Sequence, residues 1–133
     1  MKITRTALRF AAIAACSAFV PAQAHHSYGM FDHCTVTTLE GEINSVDWVN
    51  PHIVIDVRTR DVESYRVEWF SLAQLERQRI ATDTLEPGDR VTITGHAMRD
   101  PNLKVLSLLW EIRAANGWTW NQERRIPQNC TPG

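Results

Sequence analysis

At 133 residues, 44% of them hydrophobic and 22% charged, the chain has room for one domain and not two. Its 14 Lys and Arg against 15 Asp and Glu give a formal charge of −1. That balance excludes a broad basic surface of the kind that carries nucleic-acid or anionic-membrane binding.

The first 24 residues are of a different character from the rest. Residues 1–9 carry Lys2, Arg5 and Arg9 and no acid, residues 10–20 are uncharged and apolar, and Ala22-Gln23-Ala24 is a small-x-small cleavage pattern. Residues 1–24 therefore read as a secretory signal peptide, with an apolar run too short to span a bilayer as a helix. Ile13-Ala14-Ala15-Cys16 resembles a lipoprotein box, but the apolar core before that cysteine is short. Cleavage after Ala24 makes His25 the new N-terminus; cleavage after Ala22 is the alternative. The expected location is the periplasm or the outside of the cell, with no transmembrane segment once the signal is removed. Residues 25–133 lose Lys2, Arg5 and Arg9 and keep 11 basic against 15 acidic residues, a formal charge of −4. A domain of this size buries a modest single core. Cys34 and Cys130 remain near its two ends. In an oxidising compartment they read as a disulfide staple, with free thiols or metal ligands as the other reading.

Between the cysteines the pattern is mostly that of strands. Leu39, Gly41 and Ile43 share one phase, then Val46 and Trp48 take over with the phase slipped by one. A slip inside a strand predicts a bulge that lets it curl, and a strand glycine such as Gly41 fits a sharp bend. Trp48-Val49-Asn50-Pro51-His52 ends this strand and predicts a tight loop. Ile53, Ile55 and Val57 alternate with His52, Val54 and Asp56 as a second strand, and Tyr65, Val67 and Trp69 with Arg66, Glu68 and Phe70 as a third. Ser71-Leu72-Ala73-Gln74 has the form of a capping box and opens a short helix over residues 72–79. After the Leu85-Glu86-Pro87-Gly88-Asp89 turn, Val91, Ile93 and Gly95 alternate with Thr92, Thr94 and His96 as a fourth strand. Residues 103–112 are nearly continuously apolar and make a fifth. Five strands with one helix between the third and fourth predict a mainly β, OB-like five-stranded barrel over residues 25–115. Residues 116–133 form a C-terminal tail or an extra strand.

Several side chains are candidates for chemistry. A free amine and imidazole on His25, joined by another imidazole, make a donor set suited to copper, and an N-terminus at Gln23 also chelates copper(II). His25, His26 and His52 are the candidate metal ligands, with His96 as an outlying fourth. A solvated chain start is the plainer reading of His25 and His26. In an OB barrel the loops joining strands 1–2 and 4–5 flank the usual binding face. Trp48, Asn50 and His52 are accordingly the candidate ligand-binding loop. His96 lies beside the second of those loops on the polar phase of its strand, and the plainer reading of both histidines is a half-exposed strand residue. Trp48, Trp69 and Trp110 fall on packing positions; Trp118 and Trp120 are placed to cover an opening of the barrel or a partner surface. Arg124-Arg125 reads as a small solvated basic pair. No nucleophile elbow, phosphate loop or carboxylate pair is present, so no enzyme is read from the sequence.

His25-His26-Ser27, Phe31-Asp32, Gly41, Trp48-x-Asn50-Pro51-His52, Glu68 and Leu85-x-Pro87-Gly88-Asp89 together resemble the small exported bacterial proteins of the domain of unknown function 6152 family. The likeness covers residues 25–112. The His-His-Ser start and the Trp-x-Asn-Pro-His loop are its specific parts. The chain departs from it at Arg77-Gln78-Arg79-Ile80, where members tend to carry Arg-x-Gly-Trp. It departs again in the loop from Met98 to Asn102, in the cysteine pair and in the Trp118/Trp120 tail. The resemblance implies an exported protein and no particular activity. Two functions follow: a periplasmic binding module for copper, or a metal-free module for a small ligand or an envelope protein, neither of them contacting nucleic acid.

Overall fold

The computed structural model describes residues 28–124 and 126–130. A 3-10 turn, Tyr28–Met30, leads into strands β1 (Thr37–Asp47), β2 (Val54–Thr59) and β3 (Ser64–Glu68). Helix α1 (Leu72–Arg77) follows, then β4 (Arg90–Ala97), β5 (Val105–Ala114) and a short β6 (Thr119–Asn121). The hydrogen-bonded order is β3-β2-β1-β4-β5-β6, and β3 also pairs in parallel with β5. That last pairing, Arg66 with Val105 and Val67 with Leu106, closes the first five strands into the expected barrel with the helix between β3 and β4.

Period-2 alternation explains why these segments are strands. Ile53, Ile55, Val57, Val67, Ile93, Leu106 and Ile112 point inward and are fully buried. At about 25 cal/mol per Å2 of apolar surface, these side chains supply the main favourable term for the fold. The phase slip in β1 is the anticipated bulge. Ile43 faces Val57 and Ser45 faces Asp56, which leaves Asn44 as the extra residue. Gly41 is required by contact rather than by turn geometry, because a Cβ there would lie 2.5 Å from the Arg58 carbonyl and 2.7 Å from Val57 Cγ1. Helix α1 starts where the capping pattern placed it. The Gln74 Oε1 atom accepts from both the backbone N–H and the hydroxyl of Ser71, and Leu75 is the residue it buries.

A second irregularity has no counterpart in the sequence reading. Thr94 faces Glu111 but His96 faces Ser107, so Gly95 alone opposes Leu108, Leu109 and Trp110. Leu108 takes φ +51° to make this possible. The bulge turns β4 over by one position, and Gly95 and His96 are both buried. His96 is thus not on a polar, half-exposed phase.

The two ends are tied to the barrel. Phe31 is buried and bridges to Met98, and Cys34 and Cys130 form a disulfide across 96 positions of sequence. β6 lies on β5, and Trp120 packs edge-on against Trp69 and Phe70 at 5.2 and 5.6 Å. Its indole N–H donates to Gln78 Oε1 at 2.8 Å. Trp118 completes the cover, 6.2 Å from Trp69.

Candidate functional site

The loop after β1 does not run free over solvent. Ile53 exchanges backbone hydrogen bonds with Phe70 and Trp69, which holds the loop against the end of β3. Asn50, Pro51 and His52 then form one wall of a cavity of about 700 Å3, within the range of roughly 300–1,000 Å3 usual for small-molecule sites. Val49, Val54, Trp69, Phe70 and Leu108 give it apolar walls, and Arg66, Glu68 and Arg124 give it charge. Tyr28 closes it from the N-terminal side. Trp48 is not part of it and packs against the core.

Two features of the chain assemble this cavity. The bulge in β5 swings Leu108 outward beside the seam with β3. Beyond β6 the tail continues along β5, with Gln122 N–H on the Trp110 carbonyl and Arg124 Nε on the Leu109 carbonyl at 2.9 Å. Arg124 is therefore fixed at the bulge, half-buried, where burial holds its guanidinium below the usual arginine value. Arg124 is therefore not freely solvated, and Arg125 lies outside the described residues. Arg66 Nε reaches Glu68 Oε1 at 3.1 Å and compensates that carboxylate. Arg124 has no carboxylate partner among the described residues.

The floor has an energetic peculiarity. Trp69 Nε1–H is sealed from solvent and has no hydrogen-bond partner among the described residues. An orphaned buried donor costs about 1–3 kcal/mol, and among the described residues it is the one such side-chain atom.

His96 is elsewhere and is fully engaged. Its Nδ1 sits 2.8 Å from the Asp32 carbonyl and 2.9 Å from the Thr35 carbonyl, so Nδ1 carries the proton. Its Nε2 accepts the Trp110 indole N–H at 3.0 Å. Both nitrogens are used in pinning the N-terminal segment and β5 to β4, and neither is presented to a ligand. His33 stacks at a tilt 5.8 Å away and donates through Nε2 to the Tyr28 carbonyl. Asp32 takes part in the same corner. Its carboxylate accepts from Thr35 and from the Cys34 amide, which holds it below the ordinary aspartate value.

The anticipated loop thus contributes Asn50 and His52 to a cavity, whereas His52 and His96 do not share a site. His25 and His26 lie outside the described residues, and among those residues no group of three or more His, Cys, Asp or Glu is arranged to hold a metal ion. A second, shallower groove of about 640 Å3 lies at the far end of β2, among Arg58, Arg60, Arg90 and Arg113 with Glu40 and Glu42. Arg58 faces Glu42 there at 3.8 Å.

A family model, described as a family of unknown function (DUF6152), matches residues 12–107. The chain belongs to this DUF6152 family. No curated protein and no solved structure gives a significant match. The matched span holds β1 to β4, the first residues of β5 and the Asn50–His52 wall of the cavity, while most of β5, Arg124 and the disulfide partner Cys130 lie beyond it.

Proposed function

We propose that this DUF6152 protein is an exported binding module of the bacterial envelope that holds a small ligand against the loop at Asn50 and His52. The observation that carries this reading is the cavity itself. It is concave, mostly apolar and ringed by a few polar groups, and it lies at the loop picked out by the chain's most distinctive motif. Export rests on the signal-peptide pattern of residues 1–24, and the Cys34–Cys130 bridge suits an oxidising compartment. The orphaned Trp69 N–H supports the reading too, since a tolerated cost of that kind is most easily understood where function constrains the wall.

A second reading is copper binding by His25, His26 and His52. It keeps one observation in its favour: Tyr28, three positions after His25, lines the same cavity as His52. Three residue steps can span roughly 10 Å.

Both readings are tested by NMR chemical-shift mapping on protein exported and processed by a bacterial host, titrated with a library of neutral and charged fragments. Perturbations confined to Asn50, His52, Phe70 and Leu108, and abolished by the cavity-filling Val54→Trp, are the expected outcome. Fragments that collect only in the arginine groove, or none that bind, would overturn the small-ligand reading. Copper(II) added to the same sample separates the second reading, which requires one equivalent bound and weakened by His52→Ala.

A further inference from the structure

We infer that the cavity takes a small organic carboxylate, its anionic head on Arg124 and its apolar body against Val49, Pro51 and Phe70. This deepens the small-ligand reading and rests on it. The charges that line the cavity are Arg66, Glu68 and Arg124. Arg66 and Glu68 are spent on each other at 3.1 Å, so among the described residues one positive charge of the lining, Arg124, is left without a carboxylate, in a chain whose formal charge is −1. A half-buried charge without a counter-ion is costly, and pairing it with an incoming anion recovers that cost.

The geometry of the guanidinium narrows the anion. Arg124 Nε is tied to the Leu109 carbonyl, and among the described residues its two terminal amino groups make no ion pair, so they are the fork that an anion can meet. Such a fork matches the two oxygens of a carboxylate in a bidentate pair. A single uncompensated cation suits a monoanion. A phosphate dianion would set its second charge near Glu68 with no further cation to receive it. Val49 and Pro51 on the loop side and Trp69 and Phe70 beyond β3 offer the apolar surface of the remaining walls, so the body of the ligand is a short alkyl or aromatic group.

The test is calorimetric titration of the processed protein with hexanoate, benzoate and indole-3-carboxylate, each set against its own primary amide. At least one acid is expected to bind about tenfold more tightly than its amide, the scale of a charge-assisted pair. Arg124→Gln is expected to erase that difference and Arg124→Lys to retain part of it, with circular dichroism confirming that each variant folds. Amides that bind as well as acids, or a difference that survives Arg124→Gln, would overturn the carboxylate assignment and leave the cavity reading standing. If no acid and no amide binds, both readings fall. The comparison of acid with amide on the unmodified protein decides the matter even where a variant fails to fold.

Discussion

At the scale of single residues, His96 and Trp69 show two opposite treatments of a buried polar ring. His96 has its N–H shared between two carbonyls and its other nitrogen capped by Trp110, so burial costs it little. Trp69 has no partner among the described residues. Replacing His96 by Phe keeps the approximate ring volume and strands the Trp110 N–H together with two carbonyls. We expect a loss of roughly 2–4 kcal/mol in urea unfolding, from the cost of orphaned buried groups. Fragment binding at the cavity should be unchanged, because His96 does not line it. A His96→Phe protein of wild-type stability would show that the three hydrogen bonds contribute nothing.

At the scale of elements, the two bulges shape the barrel, and only one of them was legible. In β1 the extra residue falls between alternating apolar and polar positions, so the phase slip after Ile43 is written in the pattern. In β5 the three residues opposing Gly95 are Leu108, Leu109 and Trp110, inside a continuous apolar run where no alternation exists to slip. The β4 side gives no sign either, since His96 occupies the next polar position as though the strand continued evenly. Its burial followed from a partner strand rather than from its own neighbours. The site divides in the same way. Asn50 and His52 belong to a local motif, whereas Tyr28 and Arg124 reach the cavity through long-range pairing, one by the bridge of Phe31 to Met98 and the other by the tail lying on β5. The close approach at Gly41 belongs to this scale too. Gly41→Ala pushes a Cβ onto the Arg58 carbonyl and Val57, and backbone cannot swing aside as a long side chain would. A loss of roughly 1–3 kcal/mol, the usual cost of overpacking, is expected in chemical denaturation; a neutral result would mean that β1 and β2 separate freely at that point.

For the whole molecule, the disulfide and the barrel seam set how the parts hold together. Cys34 and Cys130 enclose 96 positions of chain, and a loop of that length is worth about 4–5 kcal/mol in the loop-entropy account. The double variant Cys34→Ser, Cys130→Ser should lose about that much in urea unfolding. A much smaller loss would mean that the unfolded chain already holds its ends together. The barrel itself is shut by few bonds: β3 and β5 meet over two residue pairs, with the Arg66 amide donating to the Lys104 carbonyl at 2.9 Å. Strands that lie far apart in the chain and run in parallel are late and slow to come together. The cavity lies where these two strands part company, between Glu68 on one side and Leu108 on the other. A molecule lodged there touches both halves of the chain across its weakest join, and so acts as a clasp that only a completed fold can fasten.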